Sequence, residues 1–285
     1  MLSYRHGFHA GNHADVLKHA VVSLIVQHLR AKDKPFFYLD THAGAGQYDL
    51  ESSLARKNRE HESGITRLMA SRYVPSLLED YLAVVRSMNS GNRVRFYPGS
   101  PRLVRQLIRD GDRISLCERH STEVVALKRT FAGDRVVRVL DSDGYQALKT
   151  LLPPAERRGL VLIDPAYEAR GEWQHLLTGI QEAWRRWPTG IMAIWYPVQD
   201  RLTTDERLRK IKRLGIPGTL MIELSVLQQE AVTRMMGSGL IIINPPWKLE
   251  EQMRTLLPGL WDVLSCQNQG GYRLDWLVPE RAASC

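Results

Sequence analysis

The sequence predicts an α/β protein: a mostly parallel sheet with helices on both faces and antiparallel pairing late in the chain. Three observations carry this. Apolar runs of strand length alternate with helical patterns between residues 114 and 196, the rhythm of βαβ units. An earlier run, residues 36–39, passes through Asp40 into a loop containing Gly44-x-Gly46. Ligands of parallel sheets sit off the carboxyl ends of strands, and glycine lets a ligand approach the backbone closely. Two late runs, 219–227 and 239–243, have no room between them for a crossover helix, so they pair antiparallel.

The chain has 285 residues, enough for one good-sized core and a small appended unit. No apolar run approaches the roughly 20 residues of a membrane span, and the amino-terminal stretch lacks the apolar segment of a signal peptide. Cys117, Cys266 and Cys285 show no CxxC spacing, which argues against a disulfide framework or a zinc site. A cytoplasmic protein without membrane partners is expected. The formal charge is +8, compatible with a polyanionic partner such as nucleic acid.

In chain order, residues 1–20 hold His6, His9, His13 and His19 among Tyr4, Arg5 and Lys18. No partner residues complete a zinc spacing, so polar contacts to a ligand or phosphate are the favoured reading. Gly11 and Asn12 form a turn, and Asn12 caps a helix over residues 13–29. The glycine loop follows. A simple βαβ unit would reach its second strand within about 30 residues, but the next convincing strand is at 114–118. Residues 50–96 are therefore read as a helical insertion within a domain of residues 1–49 and 97–285. Arg56, Lys57, Arg59, Arg67, Arg72, Arg86, Arg93 and Arg95 give the insertion a basic face. Ser100-Pro101 starts a helix. Strands at 114–118, 136–140, 160–164 and 191–196 then alternate with helices at 122–131, 144–152 and 173–187.

The first four strands of the parallel series each end at or near an acid: Asp40, Glu118, Asp141 or Asp143, and Asp164. All fall at the sheet edge beside the glycine loop. An acid ending the second strand suits a ribose diol, so a basic protein acquires a locally acidic pocket, fit for a cationic adenosine cofactor. Such acids also cap the helices that follow strands.

Asp164-Pro165-Ala166-Tyr167 is the most informative stretch. An acid, a proline and an aromatic ring at this edge resemble the (Asp/Asn)-Pro-Pro-(Tyr/Phe/Trp) signature of amino-methyltransferases. The exocyclic amine of a base is a poor nucleophile, because its lone pair is delocalised into the ring. The Asp164 carboxylate and the Pro165 carbonyl can accept its hydrogens and push the nitrogen toward sp³ character. The Tyr167 ring can stack on the base, and Asp164 can accept the proton afterwards. Asn244-Pro245-Pro246-Trp247 matches the signature more literally, but it follows an antiparallel strand. Its place is the opposite edge of the sheet, which gives it a structural or surface role.

With these residues in place, nearly the whole chain resembles the bacterial 23S ribosomal RNA adenine-N6 methyltransferases. The resemblance rests on MLSYRHGFHAGNHADVLKH at the start, YLDTHAGAG (38–46), FYPGSP (96–101), RRGLVLIDPAYE (157–168) and IIINPPWKLE (241–250). It implies a Rossmann-like class I methyltransferase with a mostly parallel seven-stranded sheet, an antiparallel last strand and a small helical insertion. It further implies S-adenosylmethionine as donor, no metal, and 23S ribosomal RNA as partner of a monomeric enzyme. By matching positions, His19, His42, Ser100, Glu118, Asp143, Gly144 and Asp164 would contact the cofactor. Asp164 would be catalytic, and Tyr4, Pro165 and Tyr167 would meet the RNA. Ala166 departs from the pattern, which has a second proline there; stiffness is lost but neither acceptor. A DNA or protein amino-methyltransferase, and a non-catalytic nucleic-acid-binding protein on the same fold, are the rival readings. A nicotinamide enzyme fits less well, because the third glycine of the dinucleotide fingerprint is missing.

Overall fold

The structure, a computed structural model, describes residues 5–72, 75–91, 93–169, 171–227 and 235–280. Helix α1 (His13–Arg30) begins where expected: the Asn12 side chain accepts from the backbone N–H groups of Ala14 and Asp15. β1 (Phe37–Asp40) and the short β2 (Gln47–Asp49) flank the glycine loop. The insertion follows as α2 (Ser53–Asn58), α3 (Ile65–Ala70) and α4 (Glu79–Ser87), joined by single 3₁₀ turns. β3 (Phe96–Pro98) and α5 (Ser100–Leu107) return the chain to the sheet. β4 (Arg113–Glu118), α6 (Ser121–Thr130), β5 (Val137–Asp141), α7 (Gly144–Leu151), β6 (Gly159–Ile163), α8 (Glu172–Arg186) and β7 (Ile191–Val198) follow in strict alternation. The chain continues through α9 (Arg201–Lys212), β8 (Thr219–Ser225), β9 (Gly237–Ile243), α10 (Leu249–Leu264) and β10 (Gly271–Val278).

Among the described residues the main sheet has eight strands, in the order β10-β8-β9-β7-β6-β1-β4-β5. Pairing is parallel from β7 to β5. β9 is antiparallel to both β7 and β8, as the short connection required, and β10 is antiparallel to β8. The architecture is Rossmann-like, with one strand more than expected. The extra strand, β10, is an edge strand carrying Arg273 and Asp275 on an incompletely buried surface. The expectation of seven strands left residues 271–278 out, although Tyr272, Leu274 and Trp276 alternate with Arg273 and Asp275, the period of a half-covered edge strand.

Alternation along the central strands divides the core between the two faces. Phe36, Tyr38, Leu160 and Leu162 pack with α1, α5 and α10. Phe37, Leu39, Val161 and Ile163 pack with α7 and α8. Ile65, Leu68, Leu78, Tyr81 and Leu82 of the insertion share the first cluster with Leu17 and Val21 of α1. β2 and β3 pair antiparallel, Tyr48 opposite Tyr97, and so clip the two ends of the insertion together. At Gly64 a Cβ would lie 2.1 Å from the Gly11 carbonyl oxygen. Only glycine allows this approach, through which the Ile65 N–H donates to Gly11 O. The insertion is thereby seated on the turn that starts α1.

Candidate active site

A cavity of about 230 Å³ opens at the carboxyl edge of the sheet, above β1, β4, β5 and β6. His19, His42, Ser100, Glu118, Asp143, Gly144 and Asp164 all line it, as does Pro165. The glycine loop is tied to the second strand of the series: Glu118 Oε2 accepts from the Gly44 N–H at 2.8 Å, and Oε1 from the His120 N–H at 2.6 Å. Gly44 has φ +60°, and a Cβ there would lie 2.3 Å from the Tyr48 hydroxyl. The left-handed backbone and the crowding together require glycine. Asp143 caps α7, its Oδ1 accepting from Tyr145 N at 2.8 Å, while Oδ2 accepts from Arg119 at 2.9 Å. Both readings of this strand-end acid, pocket lining and helix cap, hold at once.

Asp40 departs from expectation. It is fully buried and does not line the cavity. Ser100 Oγ donates to its Oδ2 at 2.6 Å, Tyr38 OH to the same oxygen at 2.8 Å, and the His42 N–H to Oδ1 at 3.2 Å. Burial pushes its carboxyl up to about 6, against the pull of the Ser100 and Tyr38 hydrogen bonds. Asp40 is the floor beneath the site, holding Ser100 and the backbone of His42 in place.

Two of the histidines on this cavity, His19 and His42, favour the neutral form. Burial lowers His19 to about 3 and His42 to about 4. His19 Nδ1 shares a hydrogen bond of 2.7 Å with Tyr97 OH, which in turn pairs with Tyr81 OH at 2.8 Å. The insertion, through Tyr81 on α4, therefore holds a wall of the cavity.

Asp164 stands at the junction with a second, larger cavity of about 1000 Å³. Lys18, His6, Pro165 and Ala166 also border both cavities. Lys18 Nζ donates to Asp164 Oδ2 at 2.6 Å and pairs with Asp15 Oδ1 at 2.9 Å. Asp15 Oδ2 meets His6 Nε2 at 2.9 Å and accepts from the Gly11 N–H at 2.8 Å. Burial alone would discharge this chain. For Lys18 the carboxylates of Asp15 and Asp164 outweigh that effect and raise its pKa. For Asp15 the charges of His6 and Lys18 hold it well below the usual carboxylate range. Asp15 is a site residue absent from the sequence analysis, which named His6 and Lys18 only as part of a stretch suited to polar contacts with a ligand or phosphate. The available signal was an acid and a base three residues apart on a helix with no polar face: α1 buries Asp15, Lys18 and His19 along with its aliphatic side chains.

The other histidines are accounted for differently. His9 pairs with Glu60 at 2.9 Å, and burial lowers His13 to about 4. Among the described residues no group of three or more His, Cys, Asp or Glu side chains could hold a metal ion.

Tyr167 lies on the larger cavity, away from the smaller one. Its hydroxyl donates to the Trp195 carbonyl at 2.5 Å, and its ring lies between Trp173 and Trp195, with centroids 5.2 and 5.8 Å away. Lys57, Arg59 and Arg67 of the insertion also line that cavity. The basic face of the insertion is interleaved with acids. Arg93 pairs with Glu51, Arg95 with Asp49, Arg59 with Glu62 and Arg86 with Glu79. Tyr4 lies outside the described residues. Asn244 is at the far edge of the sheet, its Nδ2 donating to the carbonyls of Pro188 at 2.6 Å and Gly190 at 2.9 Å.

Comparison with known proteins places the chain. A family model described as "Ribosomal RNA large subunit methyltransferase D, RlmJ" matches residues 33–278. Ribosomal RNA large subunit methyltransferase J of Escherichia coli is 48% identical over 280 residues, 98% of this chain and all of that protein. The protein of the same name from Haemophilus influenzae is 43% identical over 281 residues, 98% of this chain and all of that one. A crystal structure of a Legionella pneumophila protein superposes with a TM-score of 0.85 at 36% identity, covering 94% of this chain and 98% of that one. A continuous matched span, near-complete coverage of both relatives and a matching three-dimensional structure agree, and the chain belongs to the large-subunit ribosomal RNA methyltransferase family, as an enzyme of that class.

Proposed function

We propose that the enzyme methylates the exocyclic N6 of one adenine in 23S ribosomal RNA, with S-adenosylmethionine as donor. The observation that carries this reading is the placement of Asp164-Pro165 where the two cavities meet. The smaller cavity fits the donor. Glu118, braced by the glycine loop, faces it for a ribose diol, and carboxylates at Asp143 and Asp164 suit a positive ligand. His19, His42, Ser100 and Gly144 complete the contacts. When bound there, S-adenosylmethionine supplies a methyl group made electrophilic by its sulfonium.

The remaining chemistry belongs to the chain. Lys18 occupies Asp164 Oδ2, so Oδ1 is the oxygen turned to the target amine. Accepting one amine hydrogen at Asp164 and the other at the Pro165 carbonyl localises the lone pair on nitrogen. Asp164 then takes the proton that the methylated amine must lose. Tyr167, fixed by its hydrogen bond and by its two tryptophan neighbours, offers its ring to the base; stacking on an aromatic side chain is worth about 1–3 kcal/mol per base. Tyr4 completes the RNA contacts. Alignment accounts for much of the rate, and the residues bordering both cavities supply it.

In this reading residues 50–96 act as a helical subdomain inserted in the catalytic domain of residues 1–49 and 97–285, and grip RNA beside the target base. The enzyme works as a cytoplasmic monomer, where donor and ribosomal RNA are both present. The test is direct. Ribosomal RNA from a strain lacking the modification, genomic DNA and protein are each incubated with enzyme and tritiated donor, and the labelled product is mapped. One N6-methyladenosine in 23S RNA is expected. Label confined to DNA or protein, or on a different base atom, overturns the reading.

A further inference from the structure

Half of the protein's excess positive charge sits on one helix that lines neither cavity. Residues 201–213, α9 and its cap, hold six basic and two acidic side chains, against +8 for the whole chain. The fold accounts for the apolar side of this helix. Leu208 and Ile211 pack on the face of the sheet covered by α7 and α8, away from the insertion. Both acids are taken up locally. Asp205 pairs with Arg201 at 2.9 Å and with Arg273 at 3.0 Å, and Glu206 pairs with Lys210 at 3.0 Å.

Among the described residues no acidic side chain pairs with Arg207, Arg209, Lys212 or Arg213. Arg209, Lys212 and Arg213 are exposed, and their spacing of three and four residues puts them on one face of the helix. Like charges at that spacing repel, a cost that a polyanion removes. The helix also adjoins the acceptor site. Pro197 and Gln199, just before it, line the larger cavity. The Arg207 guanidinium lies over the Trp173 ring, 4.9 Å from its centroid, and Trp173 packs on Tyr167. Twelve helical residues span about 18 Å, so the cations run from beside that cavity down the flank of the molecule. No aromatic residue occurs in α9 to stack on an unpaired base. Arginine and lysine without such rings contact phosphates, which position an RNA without reading its sequence.

We propose that the outward face of α9, through Arg209, Lys212 and Arg213, binds backbone phosphates of the RNA that flanks the target adenine. The proposal rests on the reading of the enzyme as a ribosomal RNA methyltransferase whose target base enters the larger cavity. The RNA is then held from both faces of the sheet, by the insertion on one and by α9 on the other.

The test compares wild type with the full-length triple variant Arg209→Ala/Lys212→Ala/Arg213→Ala in binding transcribed 23S ribosomal RNA at several salt concentrations. The dissociation constant should rise about tenfold or more, and the slope of log affinity against log salt should flatten by about 2, or about 0.7 per lost phosphate contact. Affinity for S-adenosylhomocysteine, measured by calorimetry, should stay as in wild type and shows that the variant is folded. Arg185→Ala, on neighbouring α8 and paired with Glu182 at 2.9 Å, should alter neither RNA affinity nor salt slope. Cations in a last turn also complement the helix dipole. If that is their whole role, the triple variant melts earlier but keeps the RNA affinity and salt slope of wild type, and the proposal is overturned while the ribosomal RNA reading stands. If wild type itself binds no RNA, that reading is overturned and the proposal with it.

Discussion

In the proposed reading the Asp164 carboxylate is the catalytic acceptor, and the structure already holds it in place. Lys18 takes one oxygen, Asp15 neutralises the rest of the lysine, and both are buried. Asp164→Ala removes the acceptor and leaves Lys18 facing the cavities with one partner fewer. Methyl transfer should fall by about 10²–10⁴-fold, the range for loss of a positioned acid–base group, while the dissociation constant for S-adenosylhomocysteine changes far less. A single-turnover assay beside calorimetry separates the two. Asn244→Ala provides the contrast. Its two hydrogen bonds to Pro188 and Gly190 are structural, so the variant should lose about 1–3 kcal/mol of stability and keep its rate per folded molecule. Loss of methyl transfer in folded Asn244→Ala would reverse the roles given to the two motifs.

At the scale of elements, the insertion does two jobs with different faces. Its apolar face joins the main core through Ile65, Leu68 and Tyr81. Leu68→Ala, at a fully buried position, should cost about 2–5 kcal/mol in denaturant unfolding. Its other face brings Lys57, Arg59 and Arg67 to the larger cavity, while Arg56 lies toward Glu51 at 3.9 Å. Charge reversal at Lys57 and Arg67 should weaken RNA binding and flatten its salt dependence by about 0.7 per lost phosphate contact on a single strand. Reversal at Arg56 should do less. Equal effects at all three sites would argue for a diffuse field instead of a binding face.

For the molecule as a whole, buried neutral histidines set the response to acid. His13, His19 and His42 are all lowered, to about 4, 3 and 4, from an ordinary value of 6.5, in each case chiefly by burial. Each binds its proton only on unfolding, so its contribution is complete above 6.5 and is lost as pH falls toward 4. Two groups act in the other direction. His9, raised by its hydrogen bond to Glu60, and Asp40, raised by burial to about 6, both hold protons more tightly in the folded state. Burial lowers His28 and His61 as well, so the lowered histidines outweigh the two raised groups, and stability should fall by on the order of 1 kcal/mol per pH unit on acidification from pH 6.5 to 5. Urea titrations at several pH values measure that slope; a rise in stability over the same interval would contradict the burial of these histidines.

What the sequence determined by itself was everything with a short-range signal. The glycine loop, the acids ending successive strands, the Asn12 cap, the antiparallel pairing of β8 and β9 and the Asp164-Pro165-Ala166-Tyr167 loop are each written in a few adjacent residues, because strand period, capping and turn chemistry act locally. The family followed from the same local strings. Tertiary structure alone decided the rest. Lys18 reaches Asp164 across 146 positions of sequence, and Tyr81 reaches His19 through Tyr97. Asp40 looked like its sister acids at the strand ends, yet packing of Tyr38 and Ser100 put it under the floor. That β10 joins the sheet, antiparallel to β8, was decided by the tertiary pairing. A buried charge is tolerated only where its partner arrives, and which partner arrives is a property of the folded chain.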